Sequence, residues 1–524
     1  MTRRGLVLHP DRLFPADPAA RAIARRLFAE VEHLPIVSPH GHCDPRWWAD
    51  DRPFADPASL IVTGDHYLLR MLYSHGVPLE RLGLRRRDGG TEGGEGGDGD
   101  RVGRPPVADP REVWRTFASH YHQFRATPSR LWLDHALVDV LGVDVVPSED
   151  TADQTYDHIA DRLAAPDCRP RALFDRFGIE FLATTESPLD DLAAHRAIRA
   201  SGWTGNVVTA YRPDAVVDPD APAFVANLDA LAEVTGCDTT TWPGYLDAHV
   251  ARRRVFAAHG ATSTDHGHPT AATADLEPRE AAALFARVRS GAHTPADAEQ
   301  FRGQMLTEMV RMSLDDGLVA QLHPGSWRNH NPRLHRRFGP DVGADIPTRI
   351  DYVGGLKPLL DRFGNEPGLT LVLFTLDETT YSRELAPLAG HYPLVKLGSP
   401  WWFNDSVEGL RRFRTQTTET AGFANTVGFT DDTRALLSIP ARHDVARRVD
   451  CGYLAGLVAE HRLDEDDAVD IAVDLAFRLA RSSYRVDDSR FTATAPGAAA
   501  PGSPSAPSTE ATPGPSSATP SGDG

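Results

Sequence analysis

Three His-x-His pairs stand in the chain: His40/His42, His120/His122 and His266/His268. Neutral imidazoles at that spacing suit a divalent ion such as zinc, provided the backbone aims both at one point. With 22 histidines among 524 residues, chance alone supplies roughly one such pair, so context has to separate them. His120/His122 lie in helical text, where a two-residue step sends side chains to different faces. His266/His268 follow a poorly defined apolar run. His40/His42 close the clean β-run 34–42 (LPIVSPHGH), where a period of two points both imidazoles the same way. An oxygen ligand is expected from the late run 424–432, which ends in Asp431 and Asp432. Asp-Asp-Thr is also good turn and cap chemistry, so Asp431 is read as the cap and Asp432 as the ligand.

The elements that would bring these residues together are legible as eight short apolar runs, each ending in polar residues. They are 34–42, 179–185, 206–213, 256–267, 318–325, 369–378, 392–403 and 424–432, with 256–267 the least distinct. Helix-period text such as PREAAALFARVRSG and ADAEQFRGQMLTEMVRMSL lies between several of them. Strands alternating with helices predict a parallel sheet, and eight of them predict an α/β fold of the (β/α)8 barrel kind. Such a barrel carries its site at the C-terminal strand ends. Those ends collect His40 and His42, Glu186, Arg212, Asp265 and His266, His323, Asp377, Trp401 and Trp402, and Asp432 with Arg434. Near a metal, the guanidinium forks of Arg212 and Arg434 suggest an anionic small-molecule substrate.

More than 130 residues separate the first run from the second. Their aromatic helical text (VWRTFASHYHQF, LWLDHALVDVL) predicts a helical insertion over about 43–175. Residues 88–103 hold eight glycines and only Val102 as an apolar residue, which predicts a flexible loop. From 492 to 524 the Ala/Pro/Ser/Gly text predicts a disordered tail, leaving 1–491 as one barrel domain. A net charge of −18 argues against a general nucleic-acid binder. No run approaches the roughly 18 apolar residues of a membrane helix. Four scattered cysteines without a CxxC exclude a cysteine zinc site and fit a cytoplasmic protein.

In this order along the chain, a set of motifs resembles the uronate (glucuronate) isomerase family of the amidohydrolase superfamily. They are His40-x-His42, Gly64-Asp65-His66-Tyr67 with Arg70, Thr184-Thr185-Glu186-Ser187-Pro188-Leu189-Asp190, Tyr211-Arg212-Pro213-Asp214 and Ser263-Thr264-Asp265-His266. Further on come Gln321-Leu322-His323, Arg328-Asn329-x-Asn331, Gly339-Pro340-Asp341-Val342-Gly343, Trp401-Trp402-Phe403-Asn404-Asp405 and Asp432-Thr433-Arg434. The resemblance spans about residues 30–485. It implies an amidohydrolase-type barrel with one divalent metal, zinc first, with manganese or another ion as alternatives. It implies aldose–ketose isomerisation of D-glucuronate to D-fructuronate and of D-galacturonate to D-tagaturonate, in hexuronate catabolism. On this chain it makes His40, His42 and Asp432 the metal ligands. His66, Tyr67, Arg212, Arg434 and Trp402 become substrate-contacting groups, with Asp265 and His323 in the active site. The Asp-x-Arg spacing selects Asp432 over Asp431. A homo-oligomer is compatible with the family.

The competing reading is a metal-dependent hydrolase on the same scaffold. Lys357 and Lys396 are the only lysines, so a two-metal form bridged by a carboxylated lysine on strand four is excluded. A single-metal, deaminase-like hydrolase stays open, since His323, His266 and Asp432 could serve it. A Schiff-base aldolase would need Lys396, which reads better as a structural lysine. A non-catalytic carbohydrate-binding protein would need neither a metal triad nor a base.

Overall fold

The computed structural model describes residues 5–87, 108–221 and 223–486. The glycine-rich stretch 88–103 and the 492–524 tail lie outside the described residues. Seven parallel strands form one sheet in sequential order: β1 (Ile36–Ser38), β2 (Ile179–Glu186), β3 (Val207–Tyr211), β4 (Ser263–His266), β5 (Val319–Leu322), β6 (Leu371–Leu373) and β7 (Val395–Leu397). Each pairs with the next in parallel register, for example Leu182 with Val207 and Ala320 with Leu371. The strands are buried on both faces. Val37, Phe181, Val208, Val319 and Val372 fall in one apolar cluster with Val427 and Tyr484. Their neighbours Ala320, Leu322, Leu371 and Leu373 fall in another, with the helices around Leu360 and Leu385. A period of two that buries both faces is what a curled parallel sheet under a layer of helices requires.

The eighth expected strand is not a strand. Residues 424–432 contribute a single parallel bridge, Thr426 to Leu397, supported by Val427 N–H donating to the Leu397 carbonyl at 2.9 Å. Gly428 then turns into the left-handed region (φ 73°), where an extended ladder cannot continue. The curl is completed across loops instead. His42 N–H donates to the Thr433 carbonyl at 3.0 Å, and the Ser38 hydroxyl donates to the Asp431 carboxylate at 3.1 Å. The indistinct run 256–267 resolves into the end of a helix (Trp242–Ala258), a turn at Gly260, and β4.

The helices between strands are set by local signals. In Pro295–Asp316 the Thr294 hydroxyl accepts from Asp297 N–H while the Asp297 carboxylate accepts from Thr294 N–H; proline follows the cap, and Gly317 ends the helix at φ 76°. Between β1 and β2 the expected helical insertion is present, including Pro110–His120, Pro128–His135 and Ala152–Ala164. Its Trp114, Phe117, Phe124 and Leu137 share one apolar cluster with Ile179, Leu182 and Val207 of the sheet. This packing sets the insertion against β2 and β3.

Candidate active site

Past the end of β1 the chain is no longer strand, yet His40 and His42 still converge. Their rings meet edge-on at 5.2 Å. Gly41 between them lies where a Cβ would be 3.3 Å from the Thr433 carbonyl, so the two chain segments press together here. Asp432 enters from across the seam. Its Oδ1 is 3.5 Å from His40 Nε2 and 3.3 Å from His42 Nε2. Bonds of about 2.1 Å at tetrahedral angles place donor atoms about 3.4 Å apart, so this His, His, Asp set fits a small divalent ion. Asp432 holds a left-handed backbone (φ 38°), a strained conformation costing about 1–3 kcal/mol in a non-glycine residue. Asp431 faces the other way, taking the Ser38 hydroxyl and His443 Nε2 at 3.0 Å. The structure thus brings Asp432, not Asp431, to the histidines.

A second buried pair adjoins the first. His323, following β5, hydrogen-bonds through Nδ1 to Asp265 Oδ1 of β4 at 2.7 Å, and its ring stacks on His40 at 4.6 Å. Arg212, following β3, places Nη1 3.2 Å from Asp265 Oδ2 and donates through Nε to Asp214 at 2.9 Å. The charges are mutually set. Burial works to raise the Asp265 carboxyl, but Arg212, His323 and His40 hold it well below the usual range. Burial works the same way on Asp432, and His40 and His42 again prevail and lower it. Burial lowers His40 to about 4 against the pull of Asp432 and Asp265, so its imidazole is neutral at neutral pH, as a metal ligand must be.

Asp65 caps the helix His66–Ser74 by accepting from Tyr67 N–H (2.8 Å) and Leu68 N–H (3.2 Å). That cap fixes His66 and Tyr67 in the first turn, facing the cavity. His66 meets Trp402 edge-on at 5.2 Å and Tyr67 meets Trp132 at 5.4 Å. The Tyr67 hydroxyl donates to Asp405 at 2.7 Å. Arg434 comes within 3.9 Å of Asp341. One cavity is therefore lined by every residue given a site role by the resemblance: His40, His42, His66, Tyr67, Arg212, Asp265, His323, Trp402, Asp432 and Arg434; Glu186, His266 and Asp377, which also end strand runs, are not among its lining. The other two histidine pairs stay outside it. His266 is buried against Thr264 at 3.0 Å, and His120 and His122 bond the carbonyls of their own helical turns.

Residues without an expected role also line the cavity, notably Trp132, Arg328, Asp341, Asp345 and Arg442. Arg328 and Asp341 sit in motifs that carry the resemblance, and that was their only signal. Trp132 and Arg442 lie inside helices with no local mark.

A parallel α/β barrel with a His/Asp cluster across its first seam, able to hold a divalent ion, defines a barrel enzyme with its site at the strand ends. Comparison narrows this further. A family model described as glucuronate isomerase matches residues 18–83 and 103–484. A uronate isomerase of Rhizorhabdus wittichii is 64% identical over 486 residues, covering 93% of this chain and 100% of the relative. One of Phenylobacterium zucineum is 62% identical, covering 93% of this chain and 98% of the relative. The crystal structure of glucuronate isomerase from Caulobacter crescentus superposes with a TM-score of 0.89 at 56% identity, covering 94% of this chain and 100% of that one. Uronate isomerase from Thermotoga maritima superposes at 0.82 with 26% identity, covering 91% of this chain and 99% of that one. The chain belongs to the glucuronate isomerase family.

Proposed function

We propose that the chain interconverts D-glucuronate with D-fructuronate, and D-galacturonate with D-tagaturonate, through a cis-enediol(ate). The observation that carries this reading is one cavity holding a carboxylate base, a neutral phenol and four arginines. Isomerisation needs a base at C2, stabilisation of charge on the C1 oxygen, and return of a proton to C1. Asp432 removes the C2 proton, and the electron pair forms the C1–C2 double bond while charge passes to O1. O1 takes up a proton, the O2 hydroxyl gives one up, and delivery of a proton to C1 leaves the ketone at C2. Tyr67 stays a neutral phenol, because burial and the nearby Asp405 push it well above the ordinary value, and its single hydrogen, which rests on Asp405, would turn toward the developing charge once substrate is bound. His66 stands beside Tyr67, and Arg434 lines the same cavity. Arg212, fixed by Asp214 and Asp265, presents an oriented fork for the hexuronate carboxylate. A divalent ion held by His40, His42 and Asp432, zinc by its donor set, would supply Lewis acidity or orient the substrate oxygens.

Among the described residues no helix is long and apolar enough to cross a membrane. All four cysteines are free, which supports a reducing, cytoplasmic setting for this chemistry.

Incubation with D-glucuronate in deuterated water tests the reading. Proton NMR should show D-fructuronate carrying solvent deuterium at C1. A hydride shift would leave C1 free of solvent label. Failure to turn over either hexuronate, with hydrolysis of an amide, lactone or aminated base instead, would move the chain to the hydrolase reading.

A further inference from the structure

We propose that Arg442 is a positioning residue for Tyr67, acting through the Asp405 carboxylate that the two share; this rests on Tyr67 working in the active site as read above. Arg442 stands in the first turn of the helix Ile439–Ala459, remote in sequence from both partners. Its Nη1 donates to Asp405 Oδ2 at 2.6 Å, the same oxygen that accepts the Tyr67 hydroxyl at 2.7 Å. Its guanidinium lies 3.7 Å over the Trp132 ring and 5.5 Å from the Tyr67 ring. All three parts of the relay are buried: Tyr67 is 8%, Asp405 6% and Arg442 5% exposed. A buried carboxylate without its cation is costly, so Arg442 is what allows Asp405 to stand, charged, behind the phenol.

The geometry ties this relay to the base as well. The same Nη1 donates to the Asp431 carbonyl at 3.2 Å, and the adjoining His443 holds the Asp431 carboxylate. One helical turn therefore reaches the phenol through Asp405 and the Asp432 loop through Asp431. Without Arg442 the buried Asp405 carboxyl takes up a proton and no longer serves as the acceptor for the Tyr67 hydroxyl, so the phenol loses the partner that orients it. Catalysis should fall while substrate binding, which rests on the arginine side, is largely kept.

The test is a double-mutant cycle on the metal-loaded enzyme with D-glucuronate. Tyr67→Phe and Arg442→Met are each expected to lower kcat by about tenfold or more with KM changed less than about threefold. The double variant should be no worse than the poorer single one, because residues acting as a unit are non-additive. Arg442→Lys should recover part of kcat, and metal content by elemental analysis should stay at the wild-type level in Arg442→Met. Losses that simply multiply in the double variant, or loss of metal from Arg442→Met, overturn the proposal. Undiminished kcat in Tyr67→Phe overturns the reading of Tyr67 itself, and the proposal with it. A purely structural ion pair would lower stability and leave the kcat of the folded protein intact. If Arg442→Met does not fold, Asp405→Asn replaces it, and wild-type kcat there also overturns the proposal.

Discussion

The two sides of the cavity are built differently. On the seam side, His40 and Asp265 are 1% exposed and His323 4%, and their contacts are short: His323 to Asp265 at 2.7 Å, Arg212 to Asp214 at 2.9 Å. The far wall comes from the excursion after β5. There Arg328 has a side chain 39% exposed and lies 3.8 Å from Asp345, and Arg434 lies 3.9 Å from Asp341. This wall also uses left-handed backbone at Asn329, Asp341 and Gly343. A Cβ at Gly343 would lie 2.6 Å from the His66 carbonyl, so the wall leans on the helix that carries His66 and Tyr67. The seam is a preorganised set whose electrostatics are settled before substrate arrives. In the wall the ion pairs Arg328–Asp345 and Arg434–Asp341 are longer, at 3.8 and 3.9 Å.

That contrast breaks most readily at the seam. Replacing His40 and His42 together by alanine should abolish the binding of about one divalent ion per chain, read by elemental analysis. Asp432→Asn should lower kcat by about 10²–10⁴-fold, the range of a lost general base. Wild-type-like turnover in Asp432→Asn would reject it as base and ligand and turn attention to Asp431.

A smaller effect belongs to substrate anchoring. Arg212→Met should raise KM by about tenfold or more with a lesser loss of kcat, since a carboxylate anchor acts in ground and transition states alike. Steady-state kinetics with both hexuronates would check this. Equal falls in kcat and kcat/KM with unchanged KM would assign Arg212 to the chemistry instead.

The smallest effect is on stability and sharpens the contrast from outside the site. Burial pushes His195 down to about 4, and His249 and His266 to about 3. Below about pH 6.5 the unfolded chain takes up protons that these folded histidines refuse, so stability is full above that pH and falls as pH drops toward 4. Each contributes a slope of up to about 1.4 kcal/mol per pH unit. Glu186, raised to about 8 by burial, works in the opposite sense, since the fold holds its proton where the unfolded chain releases it. Three groups against one leave a net loss on acidification. Urea midpoints between pH 7 and pH 5 should fall, and a flat profile would mean these histidines are protonated in the fold.

Short continuous apolar runs made β2, β3 and β5 readable from sequence, because a parallel strand buried on both faces must be apolar over several residues. The 424–432 run looked like an eighth strand for the same reason, but pattern does not reveal that Gly428 takes a positive φ. His40/His42 could be preferred over the other pairs because only they followed a clean strand run. Arg442 could not be found, since an arginine in a helix is ordinarily a surface residue and nothing local marks one that is buried.

What the sequence by itself determined is the alternation of elements, the pairing of the two metal-type histidines, and the motif order that identifies the family. These are local or one-dimensional properties, set by side-chain period and residue type. Tertiary structure alone decided which of two adjacent aspartates meets those histidines, because Ser38, from the far end of the chain, and His443, from the following helix, claim Asp431. It also decided that Tyr67, Asp405 and Arg442 share one oxygen. Such contacts join separate elements of the fold, some of them hundreds of positions apart, and their strength depends on burial and on distances of a few ångströms, neither of which exists until the sheet has curled.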